Sequence, residues 1–85
     1  MYLDLGGSAA AATKDIIGIF DLDNTSWSIH TRKYLSGAEK SGQLVNAADD
    51  LPKSFTVLAD GTVILAQPNT AVLVKRLENR EKPNV

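Results

Sequence analysis

The chain has no cysteine and a single histidine, His30. The first absence excludes disulfides, thiolate nucleophiles and thiolate metal sites. The second excludes a metal centre built from several histidines, and a serine triad would depend on His30 alone. An excess of charge is missing too: nine Lys plus Arg against ten Asp plus Glu leave a net charge of −1. The global basic excess of a nonspecific nucleic-acid binder is therefore not present, although a local basic patch is still allowed. Long apolar runs are also lacking. The longest, residues 16–20, is five residues including Gly18, against the roughly 18 that a membrane span needs. The opening Met1-Tyr2-Leu3-Asp4 carries no basic region followed by an apolar stretch. No secretory leader is expected, and the chain reads as cytoplasmic.

What is there looks globular. Of the 85 residues, 44% are apolar and 22% charged, close to a soluble average. The length fits one small domain, expected over residues 1–80, with 81–85 as a flexible C-terminal tail. So short a chain buries only roughly 60–65% of its unfolded surface. Without disulfides or metals to staple it, association with further copies is a way to gain burial.

The coarse pattern is ββ(β)α(β)ββα, an α+β domain with a short antiparallel sheet and two helices. Tyr2-Leu3-Asp4-Leu5 alternates as a strand and ends in the turn signal Gly6-Gly7-Ser8. Residues 9–12 are four alanines, good helix formers, but too few to hold a helix beside a Gly-Gly turn, so a weak strand is expected. Residues 15–22 are the clearest strand, and their near-continuous apolar character predicts burial on both faces. Asp23-Asn24-Thr25-Ser26 then forms a turn. Ser26 or Ser28 caps a helix running to about Ser41, with Trp27, Tyr34, Leu35 and Ala38 on its apolar side and Arg32, Lys33, Glu39 and Lys40 opposite. Gly42 is its natural stop, helped by Lys40 in the last turn. After a loop with a short strand at Leu44-Val45, residues 54–59 and 62–66 flank Asp60-Gly61. That dipeptide predicts a two-residue type I′ hairpin, with φ > 0 at both positions. Asn69 or Thr70 caps a second helix with Leu73, Val74 and Leu77 on one face and Lys75, Arg76 and Glu78 on the other.

Chemistry-bearing motifs are few. Residues 16–25, Ile-Ile-Gly-Ile-Phe-Asp-Leu-Asp-Asn-Thr, resemble the first motif of haloacid-dehalogenase-type phosphatases, in which two carboxylates at a strand end share a metal and a phosphoryl group. That fold needs repeated βα units, a later Lys and a further acidic pair. This chain is too short for them, and Asp49-Asp50 lies on a loop. Asp21, Asp23 and Asn24 are therefore expected to end a strand and seed a turn. His30 is expected on the solvent side of its helix, and Trp27 as a core or subunit-interface anchor. The basic pairs Arg32-Lys33 and Lys75-Arg76, with Lys14 and Lys53, are the only candidates for phosphate contact. No catalytic residue, metal ligand or cofactor is expected from the residues.

Two blocks carry a resemblance. Met1-Tyr2-Leu3-Asp4-Leu5-Gly6 with Ala12-Thr13-Lys14-Asp15-Ile16-Ile17-Gly18-Ile19-Phe20-Asp21, and Leu51-Pro52-Lys53-Ser54-Phe55-Thr56-Val57, are similar to the extracellular matrix regulator family, in its RemB-like branch related to RemA. The likeness covers roughly residues 1 to 80. It implies a non-enzymatic regulator of biofilm-matrix genes, with relatives that assemble into rings and wrap DNA through an arginine pair in the loop before the central hairpin. Aligned back from Gly61-Thr62-Val63-Ile64-Leu65, that pair falls on Asp50-Leu51, and a third basic position falls on Lys53. The expected partners are thus further copies of the chain, in a ring, and duplex DNA bound weakly through Lys53, then Lys75 and Arg76, then Lys14. The alternative is a protein–protein interaction module that does not touch nucleic acid.

Overall fold

β-Branched and aromatic residues are frequent in the central strands of the computed structural model, which describes residues 1–7, 9–22 and 29–81. A four-stranded sheet in the order β3-β5-β6-β4 is built from β3 (Ile16–Asp21), β4 (Leu44–Asn46), β5 (Ser54–Leu58) and β6 (Val63–Ala66). A separate antiparallel pair joins β1 (Tyr2–Gly6) to β2 (Ala9–Ala12), and a 3-10 turn, Thr13–Asp15, leads from β2 into β3. The helices are α1 (Ile29–Lys40) and α2 (Thr70–Glu81). The α+β class expected from the sequence is the class found. One detail of the sheet differs: β4 pairs with β6 in parallel, so the sheet is mixed rather than antiparallel. The loop after β4 is long enough to return the chain to the far side of β6, which lets β4 and β6 run the same way.

Alternation along β5 and β6 divides the core in two. Ile64 and Ala66 face Leu3, Leu5 and Ala11 of the small hairpin and Leu73 of α2. Phe55 and Val63 face the other way, toward Leu35 and Ala38 of α1. The sheet is therefore sandwiched, with α1 on one side and α2 plus the β1–β2 hairpin on the other. The four alanines of β2 form a strand because β1 offers each of them a ladder partner, from Tyr2 opposite Ala12 to Gly6 opposite Ala9, with one register slip between Asp4 and Gly6. Four residues could not nucleate a helix against that alternative.

The helix ends follow local chemistry. Gln43 N–H donates to the Ala38 carbonyl at 2.8 Å and Gly42 N–H to that of Glu39 at 3.1 Å. With Gly42 at φ +77°, this is the Schellman closure that a glycine one step past the last turn allows. Asn69, rather than Thr70, caps α2: its Oδ1 accepts the Val72 N–H at 3.0 Å. Ser26 and Ser28, the alternative caps of α1, lie outside the described residues, as do Trp27 and the Asp23-Asn24-Thr25-Ser26 turn. Glu81, assigned by sequence to the tail, still belongs to α2; 82–85 fall outside the described residues.

Three further expectations are corrected. β3 is an edge strand, and residues Ile17, Phe20 and Asp21 are exposed instead of buried. Its apolar run therefore reflects something other than two covered faces. The β5–β6 connection has three residues, not two. Leu58 N–H bonds to the Thr62 carbonyl at 2.9 Å and Gly61 N–H to that of Leu58 at 3.0 Å. Only Gly61 has φ > 0, at +95°, while Asp60 stays on the ordinary side. This is a tight turn followed by a left-handed glycine, the second commonest hairpin solution. Val74 is exposed, not part of the inner face of α2, which consists of Leu73 and the half-buried Leu77. No helix among the described residues is long and apolar enough to cross a membrane.

Candidate functional site

The four cations proposed to meet phosphate are distributed over the molecule. Lys53 immediately precedes β5, and its backbone continues the sheet: its N–H donates to Ala66 and its carbonyl accepts from Leu22, at 2.9 and 2.8 Å. Alternation carried back from Phe55 and Val57 puts Lys53 on the α1 side of the sheet. Lys14 lies in the 3-10 turn at the opposite end of β3. Six strand residues separate the two ends, about 20 Å. Lys75 and Arg76 are in the middle of α2, on the other side of the sheet. Arg76 is already engaged, its Nη1 donating to the Asp4 carbonyl of β1 at 3.0 Å. One protomer thus brings no two of these three locations together.

The loop that holds Lys53 is well anchored. Ala47 N–H bonds to the Leu65 carbonyl at 2.9 Å. The Asn46 side chain accepts from Ala48 N–H at 3.0 Å, and the Gln67 side chain from Asp50 N–H at 2.9 Å. Asp49, Asp50 and Lys53 are all exposed on it, so two anions stand within four residues of the cation. Leu51 is 77% exposed. This loop presents an apolar tip directly after two acids, with one lysine at its base.

Asp21, the first acid of the phosphatase-like string, is exposed at the end of β3, next to antiparallel β5. Asp23, the second, is outside the described residues. The parallel sheet which that motif requires is not the sheet in which β3 lies. Among the described residues no three His, Asp or Glu side chains gather as metal ligands. His30 is exposed on α1, as the sequence suggests.

A concavity the sequence did not disclose lies beside His30. α1 covers the β6 and β4 half of its side of the sheet, and the β3–β5 half stays open. A groove of about 350 Å³ results, lined by Ile17, Phe20, His30, Tyr34, Phe55 and Val57. Phe20 stacks on Phe55 with ring centroids 5.1 Å apart, and Tyr34 meets the same ring at 6.4 Å. Ile17, Phe20 and Tyr34 are 67%, 48% and 47% exposed. The register slip between Ile16 and Gly18 is what places Ile17 here: an extra residue in a strand re-aims its side chain. Such clustered exposed apolar residues beside an open edge are characteristic of a contact surface. The signal for it in the sequence is the near-continuous apolar run of β3.

No protein-family model matches the chain, and no curated protein matches it.

Proposed function

We propose that this chain is a non-enzymatic regulator of extracellular-matrix gene expression that works as a homo-oligomer and touches duplex DNA weakly, through the assembly rather than through one protomer. The resemblance of residues 1–6, 12–21 and 51–57 to the extracellular matrix regulators supplies the role, and a cytoplasmic location goes with it. The observation that carries the weak-binding clause is the dispersal of Lys14, Lys53, Lys75 and Arg76 over both sides and both ends of the sheet. Phosphate neutralisation provides most nonspecific affinity. A lone Lys53 flanked by Asp49 and Asp50 provides little of it until symmetry repeats it.

A salt titration of duplex DNA binding, followed by fluorescence anisotropy, tests this reading. Binding should be detectable at low salt and fall steeply as salt rises. Lys53→Ala should lower both the affinity and the slope of log K against log salt. Nanomolar binding at physiological salt that survives Lys53→Ala refutes it. The second reading, an interaction module without nucleic acid, is favoured by the apolar groove beside β3; absence of binding even at low salt would select it.

A further inference from the structure

Among the described residues no strand pairs with the outer edge of β3. Antiparallel ladders alternate: Leu58 gives its N–H to Thr62 on the β6 side, so Val57 and Phe55 turn theirs toward β3, and their partners Gly18 and Phe20 point toward β5. Those of Ile19 and Asp21 point away, and among the described residues no strand meets them. An edge of this kind is ordinarily protected by lysine, proline or a covering element. β3 has no lysine or proline, and its one irregularity, at Ile17, exposes an apolar side chain instead of a charge.

We propose that β3 is the seam along which two copies of this chain join, antiparallel about a twofold axis at Ile19, merging two four-stranded sheets into one of eight. The inference rests on the homo-oligomer clause of the preceding reading and names the surface that serves it. A second copy is the occupant because the edge is self-complementary. With Ile19 opposite Ile19 of the second copy, Ile17 of each copy faces Asp21 of the other. Ile19 then exchanges two backbone hydrogen bonds with its copy, and the outward groups of each Asp21 lie opposite the irregular Ile17 position of the other strand. Moving the centre to Gly18 would set Asp15 opposite Asp21, and moving it to Asp21 would oppose two like charges directly, which is unfavourable. In the Ile19 register each Phe20 stands opposite Gly18 of the other copy. Its ring already lies back over its own Gly18, where an added Cβ would come within 2.8 Å of it. The two rings therefore meet side by side across the axis. Strand pairing alone falls short of the roughly 800 Å² per partner of a stable interface. Exposed Ile17 and Phe20, beside the seam on the α1 side, are what the second copy must also cover.

Two variants of the full chain test the seam. Ile17→Lys puts a charge at an exposed position and leaves the core untouched, so far-UV circular dichroism should be unchanged. Light scattering and sedimentation should show a wild-type mass of at least 18.2 kDa, twice the 9.1 kDa chain, and at least tenfold weaker association in the variant. Ile19→Cys is the only thiol in its chain. Residues that exchange hydrogen bonds across an antiparallel pair lie about 5.5 Å apart, within disulfide range, so mild oxidation should yield a covalent dimer. Leu51→Cys, on the loop tip, serves as the control for random collision. If Ile17→Lys keeps the wild-type mass and Ile19→Cys cross-links no better than Leu51→Cys, the seam is refuted, while a homo-oligomer built on another face stands. A wild-type chain that remains 9.1 kDa at tens of micromolar overturns both. Loss of DNA binding with the dimer intact counts only against the preceding reading.

Discussion

One methyl group added at Gly61 should destabilise the protein, and the same group added at Gly37 should stabilise it. Gly61 sits at φ +95°, where an L side chain costs about 1–2 kcal/mol of backbone strain. Its added Cβ would also come within 2.5 Å of the Gln43 Nε2. That amide donates to the Asp60 carbonyl at 3.2 Å, and displacing it forfeits an exposed hydrogen bond worth about 0.5–1 kcal/mol. Stiffening the unfolded chain returns about 0.4–1 kcal/mol. The net loss for Gly61→Ala is then about 1–2 kcal/mol, a fall in Tm of roughly 5–15 °C for a domain of this size. Gly37 lies exposed in the middle of α1 with no heavy atom within 4 Å of its added Cβ, so Gly37→Ala gains the helix propensity of about 0.5–1 kcal/mol. Thermal melts should be run at one protein concentration, because the Tm of an associating chain depends on it. Repeating Gly61→Ala in a Gln43→Ala background separates the contributions, since only the strain persists there. A neutral or stabilising Gly61→Ala would show that the β5–β6 connection does not need a left-handed residue, and the three-residue turn would be refuted.

Thr56 is fully buried between Ile19 and Ile64 on the ladder, and its Oγ1 finds no partner among the described residues. Thr56→Val keeps the branched shape, removes the unpaired hydroxyl, and should raise stability by about 1 kcal/mol in a urea titration; a loss of that size would show the hydroxyl to be bonded. Asn69→Ala removes the α2 cap and should cost about 1 kcal/mol by the same assay; an unchanged urea midpoint would count against the cap. Asp60 accepts the Thr62 N–H at 2.9 Å, and this backbone bond, helped by the Thr62 hydroxyl, holds its carboxyl below the usual carboxylate range. A lowered folded pKa means that the contribution is present above the unfolded value of about 3.9 and is lost as pH falls through the folded one. Asp60→Asn should therefore flatten the acid limb of stability against pH below about pH 4, and an unaltered limb would contradict the assignment.

The α+β class and the chain order of the strands and helices were legible because each rests on nearest-neighbour chemistry. Gly42 closes α1, Asn69 opens α2 and Gly61 turns the hairpin for reasons contained within a few residues. Strand identity in residues 2–6, 16–21, 54–58 and 63–66 follows from branched and aromatic side chains or alternation in the same way. Even the four alanines are settled once a partner strand lies within turn distance.

Where β3 lies in the sheet is a different kind of fact. An apolar run describes a strand that avoids water and is silent about what covers it, whether a neighbouring strand, a helix or another molecule. Only the strand order β3-β5-β6-β4 makes this run an edge, and only the position of α1 over Val63 and Leu44 leaves Ile17, Phe20 and Tyr34 open beside it. The parallel pairing of β4 with β6 joins residues about 20 apart in sequence, beyond the reach of any local signal. The scattering of Lys14, Lys53, Lys75 and Arg76 was equally hidden, because one-dimensional spacing carries no information on which side of a sheet a residue falls. Local stereochemistry determines the elements, and long-range packing decides which of their surfaces remain available for contact.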